Sequence, residues 1–304
     1  MNSTSVLFDD LGPRGRRRVR AASILVVVLV GVLIGVGLNR LADRGQFADA
    51  LWEPLTDLKV IEFLLKGFAN TLKAAGLAMC VSVVAAAFLA LGRLAHNRPV
   101  RWLAGAYVEV FRAFPLLLLI FFAFLALPQL LENSPLSGLL GNDGDANLSP
   151  FAALVLGLIL YNSAMLAELF RAGILSLDRG QREAASSIGL TYWQSMASVI
   201  APQALRRMLP GIISQVVALL KDTALGYIVV YEELLRRARI SGEFYRNPLQ
   251  MFLAAALIYF VFNFALSQFA AKLEMRQRHR FKAQPMDIAS GSEDLAANAA
   301  LARN

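Results

Sequence analysis

The chain has 304 residues, of which 57% are Ala, Val, Ile, Leu, Met, Phe, Trp, Tyr or Cys, with 21 glycines besides. Soluble domains are only about 45–50% apolar, glycine included, so an ordinary cytosolic globular fold is excluded. Charged residues make up 17%, and 30 basic against 22 acidic residues give a net charge of +8. In so apolar a chain this surplus points to loops retained in the cytoplasm and to anionic lipid headgroups rather than to nucleic acid. One cysteine, Cys80, and two histidines, His96 and His279, remove disulfide frameworks and His- or Cys-rich metal sites. Cys80 reads as a small buried apolar residue and His96 as a solvated loop residue.

About 20 apolar residues suffice to cross a bilayer as a helix, and six stretches qualify: 22–38, 67–92, 106–131, 150–170, 210–231 and 248–271. The expected architecture is therefore an all-α integral membrane protein with about six transmembrane helices. The first stretch follows a basic segment, 1–21, with Arg14, Arg16, Arg17, Arg18 and Arg20. Its uncharged run is longer than the core of a secretory signal, and the nearest Ala-x-Ala, Ala48–Ala50, lies well beyond it, so it is expected to stay as an accessory transmembrane helix. Gly31 and Gly35 would permit close helix contact there, a weak signal. Residues 39–66 form an external or interfacial segment with a short helix before the second span. Residues 273–304 are polar and predict a disordered cytoplasmic tail.

Short loops rich in Lys and Arg stay in the cytoplasm, which places both termini inside. Arg93, Arg98 and Arg101 then lie in one inner loop, and Arg171, Arg179, Arg182, Arg206 and Arg207 in another, while the loop 132–149 holds Glu132, Asp143 and Asp145 and no basic residue. One segment conflicts: 232–247 carries Arg236, Arg237, Arg239 and Arg246 yet must lie outside, with only Glu232, Glu233 and Glu243 to soften the charge.

The long inner loop, 178–204, has a helical grammar. Asp178 can cap a first helix, with Gln181 three residues on, and Gly189 supplies the left-handed residue that ends it near Ile188. Thr191 and Gln194 form a capping box for a second helix, expected to end near Ala201 because Pro202 disfavours helix in the residue before it. Ala184, Ala185 and Ile188 share one side of the first helix. Spacing alone allows a plain amphipathic hairpin on the membrane surface, with Glu183 a solvated carboxylate.

The residues themselves say more. Glu183-Ala184-Ala185, then Gly189, then Pro202-Gln203-Ala204 resembles the EAA loop of ABC importer permeases. Asn70-Thr71-Leu72, Glu109 to Leu117 with Arg112 and Pro115, Ala167-Glu168 to Ile174 with Arg171, and Lys221-Asp222-Thr223-Ala224-Leu225 look like the polar amino-acid uptake subfamily. Leu7 to Pro13, Leu51 to Pro54 and Ser214 to Asp222 are most similar to its glutamate-uptake permeases from actinobacteria. The resemblance covers about residues 66–272, and it makes 67–272 an ABC-importer transmembrane domain of five spans.

The resemblance implies a permease subunit, in a bacterial cell membrane, of an ATP-driven importer of polar amino acids, glutamate foremost, working by alternating access. Partner ATPases would bind ATP and Mg, since this chain has no Gly-x-x-x-x-Gly-Lys-Ser/Thr phosphate cradle and is not itself an enzyme. With one loop per chain, a second permease is expected, a distinct one being favoured over a second copy. An extracytoplasmic amino-acid-binding protein would deliver substrate. Glu183 would orient the bend by accepting hydrogen bonds, Ala184, Ala185 and Ile188 would fit the ATPase cleft, and Gly189 would permit the turn. Cystine, glutamine or a basic amino acid are alternative substrates. A stand-alone secondary transporter or channel predicts ATP-independent flux, and a membrane anchor predicts no effect of loop mutations on uptake.

Ionisable groups in the bilayer need a partner or a wet cavity. Glu168 and Arg171, three apart, can pair near the inner end of their helix, and Arg112 can anchor the third span. Lys221 and Asp222 split 210–231 into apolar pieces too short to span alone, a pattern that in transporters marks a substrate path. The Lys221 ammonium could there meet a substrate carboxylate, the alternative being separate packing roles. Lys221, Asp222, Glu168 and Arg112 are the candidate path residues.

Overall fold

The computed structural model describes residues 12–131 and 148–282, and within them the chain is helical throughout, with no strand. The acidic loop residues Glu132, Asp143 and Asp145 and the tail from 283 onward lie outside the described residues. Five helices are long and apolar enough to cross a membrane, and a sixth span is a broken pair.

Helix α1 (Pro13–Asp43) opens on a proline, which suits the first turn because its missing N–H would be unbonded anyway. No residue of its apolar window is buried, and a Cβ placed on Gly31 or Gly35 would have nothing within 4 Å. A short helix α2 (Asp49–Trp52) and a 3-10 turn (Glu53–Thr56) follow, where a short helix is expected before the second span. The second span begins earlier than its apolar run: α3 covers Leu58–Leu94, capped by Asp57, whose carboxylate accepts from Lys59 N at 2.9 Å. Residues 58–66 thus belong to the helix and not to the preceding segment.

Ala74, Ala78, Ser82, Ala86 and Ala90 recur every four residues and are buried. Such a small-residue ridge lets backbones approach closely where bilayer lipid offers no hydrophobic drive, and α3 packs along α7 (Pro150–Leu175). Cys80 faces the other way and is exposed, contrary to the sequence expectation.

The stretch 106–131 is not one span. Helix α4 (Arg98–Ala113) stops at an extended Phe114, and the chain turns through 104° into α5 (Leu116–Phe121). Pro115 explains both facts, since it forces its predecessor out of the helical region and cannot donate to the previous turn. A π-turn (Phe122–Ala126) joins α5 to α6 (Leu127–Leu131). A Cβ on Gly157 would lie 3.0 Å from Ile120 Cα, so α5 crosses α7 in backbone contact.

Beyond α7 come α8 (Arg179–Ser187), α9 (Tyr192–Ser195), a π-turn (Met196–Ile200) and α10 (Ala201–Asp222). The expected stop at Ala201 does not occur. The wider π-turn absorbs the missing Pro202 donor, so α9, the π-turn and α10 run on as one rod, 192–227 counting the 3-10 turn (Thr223–Tyr227) that ends it. Helices α11 (Leu234–Phe244) and α12 (Pro248–Lys282) complete the chain, α12 running on past the start expected for the disordered tail.

Three apolar clusters order the bundle along its length. Ala90, Phe170, Leu177, Met196 and Ile200 pack at the end that carries α8 and α9. Ala78, Ile120, Leu154 and Leu219 fill the middle. Val60, Leu64, Leu234, Ala238 and Met251 pack at the far end, under α11. The loop 178–204 and the Arg-rich segment 232–247 therefore sit at opposite ends.

Candidate functional site

The bend after α8 follows from its residues. Gly189 has φ +80°, and its N–H and that of Leu190 donate to the carbonyls of Ser186 and Ala185 at 3.0 and 3.1 Å, closing the helix end as a left-handed glycine does. The capping box of α9 is complete: Thr191 Oγ1 accepts from Gln194 N, and Gln194 Oε1 accepts from Thr191 N at 2.9 Å. At the start of α8 the expectation fails. Asp178 makes no side-chain cap, and Gln181 instead accepts a hydrogen bond from Gln203 Nε2 at 3.0 Å. The two halves of the motif are stitched together by this contact, 22 residues apart in sequence.

Arg207 donates to the Ser176 carbonyl at 2.6 Å and Arg182 to that of Ile174 at 3.4 Å. Cations thereby meet the unpaired carbonyls at the end of α7, the end a helix dipole makes negative. The face left open on α8 holds Glu183, Ala184 and Ile188, the last 76% exposed. Ala185 is 3% exposed and packs inward, because α8 must cover the element beneath it; the three residues do not share one outward side. The Glu183 carboxylate accepts no hydrogen bond among the described residues, and only its backbone carbonyl is engaged, by Ser187. Gly189, not Glu183, shapes the bend.

Near this end, Glu168 and Arg93 together tie three helices. The Glu168 carboxylate accepts from Arg171 at 2.5 Å, the expected pairing, and from Arg93 of α3 at 2.5 Å. Arg93 also approaches Glu109 of α4 at 3.4 Å. In sequence Arg93 counts only as a loop cation, since nothing there shows that α3 ends beside Glu168. Both Glu168 oxygens are thus engaged, while Arg112 is exposed and contributes only its field. Deeper in, Gln215 of α10 donates to Asn162 of α7 at 2.7 Å, and Asn162 donates to the Leu158 carbonyl at 2.8 Å. These polar side chains in apolar spans are visible in sequence, though their pairing is not.

Lys221 and Asp222 mark where α10 gives way to the 3-10 turn, so the stretch 210–231 is interrupted as expected. Lys221 lines a groove of about 600 Å³ between α10, α11 and α12, with Ala224, Leu235, Phe252, Tyr259 and Asn263. Asp222 is half-buried, and neither charge makes a hydrogen bond or ion pair among the described residues. They are not joined to Glu168, which belongs to the opposite end.

At the far end, Asn70 Nδ2 donates to the Glu232 carbonyl at 2.9 Å, Tyr231 donates to the Asn70 carbonyl at 3.0 Å, and Leu234 N donates to Thr71 at 3.3 Å. The Asn70-Thr71 pair fastens α3 to the start of α11. Arg237 bonds Glu232 at 2.9 Å and the Phe63 carbonyl at 3.2 Å, and Arg239 bonds Glu243 at 2.6 Å and also Tyr227. Two of the four arginines that conflict with the orientation rule are therefore neutralised within the chain.

The rod from the loop into the bundle and the bend after α4 fit an importer's membrane subunit, and comparison decides the matter. Residues 82–279 match the family described as binding-protein-dependent transport system inner membrane component. The chain belongs to this family. It is a multi-pass membrane permease and not a catalytic subunit. It is 36% identical to the glutamate transport system permease protein of Corynebacterium glutamicum, over 78% of this chain and 84% of that one. It is 38% identical to a probable glutamine ABC transporter permease of Bacillus subtilis, over 71% and 94%. A solved amino acid ABC transporter structure, described as crystallised with histidines, superposes with a TM-score of 0.64 at 31% identity, covering 73% of this chain and 97% of that one.

Proposed function

We propose that this permease imports glutamate, with α8 docking on a cytoplasmic ATPase and the groove beside Lys221 forming part of the substrate path. The observation that carries the substrate is the likeness, over most of both chains, to a relative named for glutamate. The glutamine relative makes an amide amino acid the second reading. Both termini and the loop 178–204 lie inside, an external binding protein delivers substrate, and a second, distinct permease completes the pair. The transport domain runs from Leu58, where α3 begins, to 272, preceded by the accessory helix and followed by the tail.

On this reading the outward residues of α8, Glu183, Ala184 and Ile188, enter the ATPase cleft, and Gly189 holds them at the required angle. Ala185 acts from beneath by seating α8 on the bundle. ATP, with Mg, binds on the partner. Because α9 continues into α10, closure of the ATPases swings the rod that ends at Lys221, switching the path between its two openings. Lys221 offers an unpaired ammonium to a carboxylate, and Asp222 a counter-charge to an ammonium. Glu168 and Arg112 bound the path at the inner end.

Radiolabelled glutamate uptake in cells carrying the chain with its neighbouring transport genes tests this. Glu183→Arg should abolish uptake at normal membrane abundance, and unlabelled aspartate or glutamine should compete better than cystine or arginine. Unchanged uptake in the variant removes the loop as the coupling element.

A further inference from the structure

Glu233 is fully buried, at 0% exposure, yet no cation bonds its carboxylate. It caps α11, accepting from Leu235 N at 2.8 Å and Arg236 N at 2.7 Å, and it accepts from the Tyr259 hydroxyl of α12 at 3.0 Å. A buried carboxylate without a counter-ion is costly and shifts toward its neutral form.

The surroundings supply no charge to offset it. From α12 it meets the Tyr259 phenol, and the neighbouring loop brings the Tyr231 phenol. From α3 and the 3-10 turn, the hydroxyls of Thr71 and Thr223 neighbour Tyr259, each donating to a carbonyl of its own segment, Gly67 and Leu220, and leaving its oxygen as an acceptor. On its own helix Arg237 is committed to Glu232 and the Phe63 carbonyl, and Arg236 offers Glu233 its backbone N–H. The charges that α10 contributes nearby, Lys221 and Asp222, make no bond to it. Lys66 of α3 is paired with Glu62.

We propose that Glu233 is a proton-binding site whose protonation reverses its hydrogen bond with Tyr259 and so governs how firmly α11 and α12 close over the end of α3. In the ionised state the carboxylate accepts from the phenol. Once a proton sits on that oxygen, the acid O–H donates to the Tyr259 oxygen and the phenol turns its own hydrogen to Thr71 or Thr223. One O–H bond forms on the carboxylate with a proton taken from water, and no bond between heavy atoms is made or broken. Tyr259 and Leu235 also line the groove beside Lys221, so the change is felt at the proposed substrate path; this functional consequence, though not the proton site, rests on the reading of that groove.

Burial holds the Glu233 carboxyl at about 7, opposed by its two backbone bonds and by Tyr259. A folded-state value raised above the usual carboxylate range means that the closed form is favoured at low pH, and that this advantage is lost as pH rises through about 7. Opening, which hydrates the carboxylate, is then favoured on the alkaline side.

The test is an infrared pH titration of the full-length chain in lipid nanodiscs, paired with amino-acid uptake by the reconstituted transporter at matched pH on both sides. A protonated-carboxyl band should titrate near neutrality in the wild type and vanish in Glu233→Gln, a near-isosteric mimic of the neutral acid. Tyr259→Phe, which removes a donor to the ionised form, should move the midpoint upward. Uptake by the wild type should rise about tenfold from roughly pH 6 to pH 8, as the ionised fraction of one group does, and the ratio of wild type to Glu233→Gln should carry that dependence. The same titrating band in Glu233→Gln overturns the proton site. A lost band with an unchanged uptake ratio overturns its link to transport and leaves the permease assignment intact.

Discussion

At Glu168 one carboxylate ties α7 to α3, with α4 reached through Arg93 and Glu109, and the consequences of removing members of the cluster are unequal. The side chains of Glu168, Arg93 and Arg171 are between 18% and 30% exposed, enough burial for a missing partner to matter. Glu168→Leu strands Arg171 and leaves Arg93 only its 3.4 Å contact with Glu109, whereas Arg93→Leu leaves Glu168 bonded to Arg171. Stranding a partly buried charge costs more than the net worth of the pair it came from. Glu168→Leu is therefore expected to destabilise the chain by about 1–3 kcal/mol, and Arg93→Leu by clearly less. Melting temperatures of the purified full-length variants in detergent give the order, and equal losses would show that the bond to Arg93 alone accounts for the effect. Arg93 illustrates what sequence withholds: the Glu168–Arg171 pair is three residues apart and legible, but the third member is 75 residues away and becomes visible only when the ends of α3 and α7 are brought together.

The elements divide in the same way between local and distant causes. Where a helix end is written in its own residues, as at Gly189 or at the Thr191–Gln194 box, sequence and structure coincide. Pro115 announces a bend but not its 104° angle, which depends on what α5 packs against. Pro202 misleads because the helix rule for prolines assumes an unbroken α ladder, and the π-turn at Met196–Ile200 replaces that ladder. Ala185 reads as part of an exposed face because helical spacing alone does not say which side is covered. The α5 and α7 crossing tests a contact that no motif signals. Its backbone approach at Gly157 leaves no room for a side chain, since a Cβ would fall 2.7 Å from Ile120 Cγ1 and 3.0 Å from its Cα. Gly157→Val should separate the two helices at a cost of about 1–3 kcal/mol, typical of overpacking, with membrane abundance falling accordingly. Gly76→Ala, where nothing lies within 4 Å, should leave abundance unchanged, and the comparison of the two in quantitative membrane blots checks the assignment of the crossing.

Across the whole molecule, the loop end and the Lys221 end are joined by one continuous helical rod. Residues 192–227 form a span of 36 residues, and at 1.5 Å per residue its α-helical parts rise far enough to connect the two ends of the bundle. The loop end is secured on its own account, by Gln181 to Gln203 and by Arg207 to Ser176, and the far end by Asn70, Thr71 and Glu233. Local stability at each end therefore does not depend on the rod being stiff, but transmission between them does. Inserting two glycines between Pro210 and Gly211, beyond the loop-end anchors Gln203 and Arg207 and before Lys221, interrupts the rod with residues that destabilise helix by about 1 kcal/mol each, while adding no charge and removing none of the named hydrogen bonds at either end. The expected outcome in the reconstituted transporter is that ATP hydrolysis continues and uptake is lost, so that the ratio of substrate moved to ATP consumed falls. Two alanines at the same place, which continue the helix, should rotate the loop relative to the bundle yet keep the rod rigid, impairing docking and therefore ATPase stimulation as well. Measuring both activities in both insertions separates a lever from a mere tether: identical behaviour of the glycine and alanine insertions would mean that rigidity of the rod plays no part in transmitting the stroke.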